Sequence, residues 1–168
     1  MAELTPMDRL QPCLLDRLTD DEPGVGKESR DRRVVSMGRY RAAVLRDLEM
    51  LLNAKARPAG DIIYDFDEVA RSVLNYGIPD LCGTPILNIG ALEAEEQVRN
   101  AILHFEPRVS PDQLVVRMAA PSNAEYVRTL SFEIEGELWA QPSPDHLLVK
   151  TEVDLETGHH KLKGHLGG

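Results

Sequence analysis

The hydrophobic period of this chain changes once, at Pro107. It passes from about 3.6 residues to about 2, which restricts the fold to helices followed by strands. Before Pro107, Met37, Tyr40, Val44, Leu48, Leu51 and Leu52 form one apolar stripe, which predicts a helix from Ser36 to about Asn53. Ser36 offers an N-cap oxygen, and Pro58 with Gly60 ends the element. Ala94, Val98, Ala101, Ile102 and Phe105 mark a second helix over about Ala91–Phe105. Glu93, Glu95 and Glu96 crowd its first turns, where the helix dipole favours carboxylates, and Pro107 stops it.

After Pro107, alternation takes over. Leu114, Val116 and Met118 predict one strand, Leu130, Phe132 and Ile134 a second, and Leu147, Val149, Thr151, Val153 and Leu155 a third. Each buries one face, and Pro, Ser and Asn-rich turns join them, so an antiparallel meander is expected. The fold class is therefore α+β: a two-layer domain over residues 34–157, helices followed by a three-stranded antiparallel meander. The strand Leu147–Leu155, last in the meander, is expected to offer a sheet edge.

Outside that domain the pattern is thinner. Met7, Leu10, Leu14, Leu15 and Leu18 predict an N-terminal amphipathic arm over residues 1–18, either a helix starting near Pro12 or a kinked arm. Residues 19–33 hold Pro23, Gly24, Gly26 and nine charged side chains, the composition of a flexible linker. Gly24-Val25-Gly26-Lys27 is no phosphate loop, because Glu28 and Asp21 stand where that motif needs Ser or Thr and its first glycine. Between the long helices, Val69, Val73 and Leu74 predict a helical turn or two. The turn Asn75-Tyr76-Gly77-Ile78-Pro79-Asp80 follows, with Gly77 suited to positive φ, and Pro85 and Gly90 keep the next stretch extended. Residues 158–168 read as a flexible tail.

Composition excludes several classes. At 168 residues the chain suits one domain that buries its own core. No apolar run approaches the roughly 20 residues of a membrane-spanning helix, so no direct membrane insertion is expected. The start, Met1-Ala2-Glu3-Leu4, lacks the basic and apolar regions of a secretory signal. Cys13 and Cys82 are too few and too distant for a disulfide framework or a metal knuckle, which points to reduced thiols in the cytoplasm. The net charge of −9 is uneven: residues 1–60 hold 11 basic against 10 acidic side chains, residues 61–168 hold 8 against 18. Such an acidic C-terminal part repels phosphate backbones, so nucleic acid is not an expected partner. An acidic face can steer a basic protein, although such charge is often only a solvated surface.

The most unusual local feature is Phe105-Glu106-Pro107-Arg108. Glu106 falls at a helix C-terminus, where the dipole disfavours a carboxylate by roughly 0.3–1 kcal/mol. It suits a charged anchor or a general acid, and equally a surface ion pair with Arg108 worth about 0–1 kcal/mol. Glycoside hydrolysis needs a second placed carboxylate, and no spacing singles one out among Asp112, Glu133, Glu135 and Glu137. His159, His160 and His165 lie in the expected tail, without a scaffold for a metal. No Gly-x-Ser-x-Gly elbow occurs. Trp139 suits an interface anchor or the edge of the core.

Four stretches carry a resemblance: Arg9–Leu18, Tyr40–Asn53, Ser72–Leu81 and Phe105–Val109. In this order they resemble the TssE family, baseplate subunits of bacterial type VI secretion systems related to the wedge proteins of contractile-tailed phages. The similarity runs over about residues 8–155. It implies a structural role without catalytic residues, cofactor or metal, in a cytoplasmic baseplate docked at the inner membrane. Its implied partners are the wedge proteins TssF, TssG and TssK, and the sheath proteins TssB and TssC through strand addition. The interaction residues expected from the motifs are Glu106, Pro107, Arg108, Asn75, Tyr76 and Gly77. Alanine at Glu106 or Arg108 is expected to weaken assembly and leave the isolated fold intact. The family also carries a lysozyme-like label, whose reading is a peptidoglycan-cleaving glycosidase with Glu106 as general acid.

Overall fold

The computed structural model describes residues 10, 12–19, 24, 35–58, 60–82, 90–119, 129–140 and 144–165. In chain order, α1 spans Leu14–Leu18, α2 Met37–Asn53, α3 Asp67–Ala70 and α4 Ala91–Phe105. The strands β1 (Val115–Ala119), β2 (Thr129–Leu138), β3 (Asp145–Asp154) and β4 (His160–His165) follow. Among the described residues, short 3-10 helices stand at Ile62–Asp65, Val73–Asn75 and Pro111–Gln113.

Helix α2 forms as its stripe predicts. Ser36 Oγ accepts from the Arg39 N–H at 3.3 Å, and Tyr40, Ala43, Val44, Leu48, Leu51 and Leu52 are buried. Helix α4 buries Ala94, Val98, Ala101 and Ile102, and Glu106 is its C-cap. Both helices cover one face of a single antiparallel sheet, α4 beside β1 and α2 beside β4. Cross-strand rows fill the gap between the layers. Met118 stands opposite Phe132, Phe132 opposite Thr151, and Thr151 opposite Leu162. The next row runs Val116, Ile134, Val149 and Gly164. Each fully buried Leu, Ile or Phe here contributes about 1.5–3 kcal/mol of transfer free energy, so this layer outweighs any surface ion pair. The outer face carries charge: Lys150 meets Glu133 and Lys163 meets Glu152, each at 2.7 Å.

Among the described residues the sheet has four strands in the order β1-β2-β3-β4, not three. Residues expected to fray form β4, so Leu147–Leu155 lies inside the sheet and the outer strands are β1 and β4. The β3–β4 hairpin closes because Asp154 Oδ1 accepts from the Glu156 and Thr157 N–H groups at 2.8 and 3.2 Å. Gly158, at φ 70°, takes a conformation that favours glycine. A strand of His, Lys and Gly hides from hydropathy because only Leu162 on its inward face is a plain hydrophobe.

The arm begins its helix at Leu14, two residues after Pro12, with Cys13 as N-cap. It is tied to the domain where the Val35 N–H donates to the Leu10 carbonyl at 3.0 Å. The expected linker (apart from Thr19 and Gly24), Met7, Pro85 and residues 166–168 lie outside the described residues.

Candidate interaction site: an ion-pair network joining the arm and both long helices

Pro107 ends α4 and turns the chain so that Arg108 folds back over Glu106. The Arg108 backbone N–H and Nε donate to Glu106 Oε1 at 3.2 and 2.6 Å, and Nη2 donates to Glu106 Oε2. The same Nη2 reaches Asp47 Oδ2 on α2 at 2.6 Å. Asp47 Oδ1 accepts from Arg46 Nε and Nη2 at 2.9 and 2.8 Å, and Arg46 Nη1 donates to Asp16 of α1 at 2.5 Å. Asp16 Oδ2 closes the chain by accepting from Cys13 Sγ at 3.0 Å. One line of charges therefore links arm, α2 and the end of α4, which are distant in sequence.

Burial sets its energetics. Glu106 is only 3% exposed, and Arg108 meets both of its oxygens, the pairing that a buried carboxylate requires. Burial works against the Arg108 cation, yet the bonds and charges of Glu106 and Asp47 outweigh it and raise its pKa further. Burial likewise pushes the Asp16 carboxyl up, and hydrogen bonds from Cys13 and Arg46 turn the balance and hold it below its usual range. Two phenols flank the network. Tyr76 meets Phe105 edge to face at 5.1 Å, and its pKa is raised by burial, then by Asp47 and Glu106. Tyr40 is raised by burial, with Arg108 and Glu106 acting in opposite directions, and its hydroxyl donates to the Trp139 carbonyl at 2.8 Å.

Of the residues expected from sequence, Glu106, Arg108 and Tyr76 come together. Pro107 stays exposed in the turn. Asn75 serves the backbone instead: its Oδ1 accepts from the Arg57 N–H and its Nδ2 donates to the Ala70 carbonyl, both at 2.9 Å. Gly77, at φ 123°, lies so close to α2's end that a Cβ there would fall 2.3 Å from the Ala54 carbonyl oxygen. That approach lets Ile78 bond Ala54 and Ala56. Asp47, Arg46, Asp16 and Tyr40 are additions that no spacing announces. The Glu106–Arg108 pair is satisfied inside the chain, which changes the expectation for alanine variants. Removing Arg108 strands a buried carboxylate, so the isolated fold is no longer expected to be indifferent.

Two of the histidines read as part of a tail lie in different surroundings. His159 Nδ1 lies 2.6 Å from Asn53 Oδ1 and is exposed. His160 is buried, and its Nδ1 has no described partner. Trp139 holds the site by its backbone, donating to the Arg108 carbonyl at 2.7 Å, while its side chain is 60% exposed beside it.

The family model described as baseplate wedge protein gp25 matches residues 38–143, from α2 to the β2–β3 connection, and the chain belongs to that family. The family is structural, a component of contractile-tail baseplates. No curated protein and no solved structure matches the chain.

Proposed function

We propose that this chain is the TssE-type wedge subunit of a type VI secretion baseplate, which links the baseplate to the tail sheath and promotes sheath assembly. On this reading TssF, TssG and TssK meet the surface around Pro107 and Trp139. TssB and TssC add a strand to the sheet, in a cytoplasmic baseplate docked at the inner membrane. The observation that carries the reading is the longer run of uncapped backbone on the β4 edge, since β1 has as many side-chain caps and leaves only Val116 wholly open between them. On β1, Glu95 takes the Met118 N–H at 2.7 Å and Arg99 donates to the Leu114 carbonyl at 3.2 Å. On β4, the Asn53 amide takes the outward N–H and carbonyl of His160, both at 3.0 Å. Leu162 and Gly164 share that outward parity, without a side-chain cap among the described hydrogen bonds. An edge left open in this way suits β-augmentation by another chain.

Nothing in the site favours the glycosidase reading. Both oxygens of Glu106 accept from Arg108, and the carboxylate of Asp47 shares that same guanidinium. A general acid needs a proton to give and a path to its leaving group. The test is sheath formation in cells carrying Gly164→Pro, which removes one outward N–H from β4 and leaves the bonds toward β3. We expect assembled wedges without extended sheaths, from a protein whose melting temperature is close to wild type. Normal sheaths from this variant would contradict strand addition at β4, and cell-wall turnover lost in Glu106→Gln would contradict the structural role.

A further inference from the structure

The stretch from Ile62 to Asn75 is apolar where folding does not require it. Its two 3-10 helices and α3 contain no buried residue. Ile62, Phe66, Val73 and Leu74 are between 58% and 79% exposed. Polar bonds shape the segment instead of a core. Asp61 Oδ1 accepts from the Ile63 N–H at 3.1 Å, Ser72 Oγ accepts from the Leu74 N–H at 3.3 Å, and the Tyr64 hydroxyl donates to the Arg57 carbonyl at 2.9 Å. Helix α3 lies against both 3-10 helices, so the three turns make one unit. A concentration of large apolar side chains on an ordered, uncovered unit marks a protein-binding surface.

The charge around it selects the occupant. Asp61 is paired with Arg57, and Asp80 with Lys55. That leaves exposed Asp65, Asp67 and Glu68, with no described partner, against one cation, Arg71. A second copy of this chain would set the same acidic rim against its own, and a phosphate backbone would be repelled. We propose that Ile62, Phe66, Val73 and Leu74 form a docking surface for an amphipathic segment of a different protein, one whose apolar side chains are flanked by Lys or Arg. Neither the β4 edge nor the ion network takes part, so this surface stands or falls separately from strand addition.

The test uses the full-length protein, isotope-labelled, titrated with two synthetic helical peptides of equal length, one of leucine and lysine, the other of leucine and glutamate. The lysine peptide is expected to bind at least about tenfold more tightly, with chemical-shift changes centred on Ile62–Asn75. The double substitution Phe66→Ser with Leu74→Ser is expected to weaken it by at least about tenfold at an unchanged melting temperature, because both side chains are exposed. Replacing Asp65, Asp67 and Glu68 together by Lys is expected to reverse the preference between the peptides. Shifts centred elsewhere, or affinity untouched by the serine substitutions, would overturn the proposal. Concentration-dependent self-association through this surface would overturn it too, by making a second copy the occupant.

Discussion

The ion-pair network and the β4 edge are opposite kinds of surface. The network uses the most distinctive residues of the chain, Glu106, Arg108 and Tyr76, and spends them on contacts inside the molecule. The β4 edge is built from ordinary His, Lys, Leu and Gly, and leaves outward backbone groups without caps. Distinctive sequence here marks the joints of a scaffold: a buried carboxylate tolerates little change, and a glycine pressed on a carbonyl tolerates none. Availability to a partner leaves a weaker trace, because a strand edge recognises another strand through backbone atoms that every residue carries.

The largest effect expected from breaking this contrast is on the network side. Arg108→Ala leaves Glu106 buried without its counter-charge, and a loss of about 3–5 kcal/mol of stability is expected in chemical denaturation. Glu106→Gln, which keeps an acceptor oxygen and leaves Asp47 on Arg108, is expected to lose less. Equal, negligible losses would place the pair among ordinary surface contacts.

A second effect, on the β4 side, depends on pH. Burial, followed by the charge of neighbouring His159, pushes His160 down to about 4 from an ordinary 6.5. Between these values the unfolded chain binds the extra proton and the folded chain does not. Stability from this residue is therefore complete above about pH 6.5 and is lost as pH falls through about 4, by about 3 kcal/mol in all. Asp16, Asp80 and Asp145, held below the ordinary 3.8 by their partners, add their own losses below that range, as pH falls under about 3.8. His160→Leu is expected to flatten the fall in melting temperature between pH 6.5 and 4 and to leave the carboxylate loss below pH 4 in place. An unchanged slope would exclude His160 as its source.

The smallest effect separates the two edges directly. Asn53→Ala removes the one described side-chain clamp on β4 and is expected to cost about 1–2 kcal/mol, with faster amide exchange at His160. Glu95→Ala frees a single N–H on β1 and is expected to cost less, near 0.5–1 kcal/mol, with faster exchange confined to Met118. Exchange that quickens equally on both strands in either variant would show the edges to be coupled.

Much of the fold is legible in the sequence because burial imposes a period. The stripes of α2 and α4 and the alternation in β1, β2 and β3 are inward faces, and their ends coincide with Ser36, Pro107 and the turn residues. What escapes is whatever burial does not write. Strand β4 buries His160 and half-buries Leu162, too few hydrophobes to alternate visibly. Val73 and Leu74 suggest a helical turn and do form one, but at the surface, since spacing cannot say which side of a single turn faces the core. The network escapes for another reason: Asp47 lies 61 positions from Arg108, on the polar side of α2, where charge is ordinary. Glu106-Pro107-Arg108 announces a feature, and only the packing of α2 against α4 and the return of Trp139 show where its charges go.

Amide hydrogen exchange on the free protein and on the protein mixed with the proposed sheath partners TssB and TssC tests strand addition at β4 most directly. The expected result is fast exchange at Leu162 and Gly164 in the free protein, protection of both in the complex, and no change at Met118. Protection that arises at β1 instead, or at neither edge in a complex that forms, would contradict it.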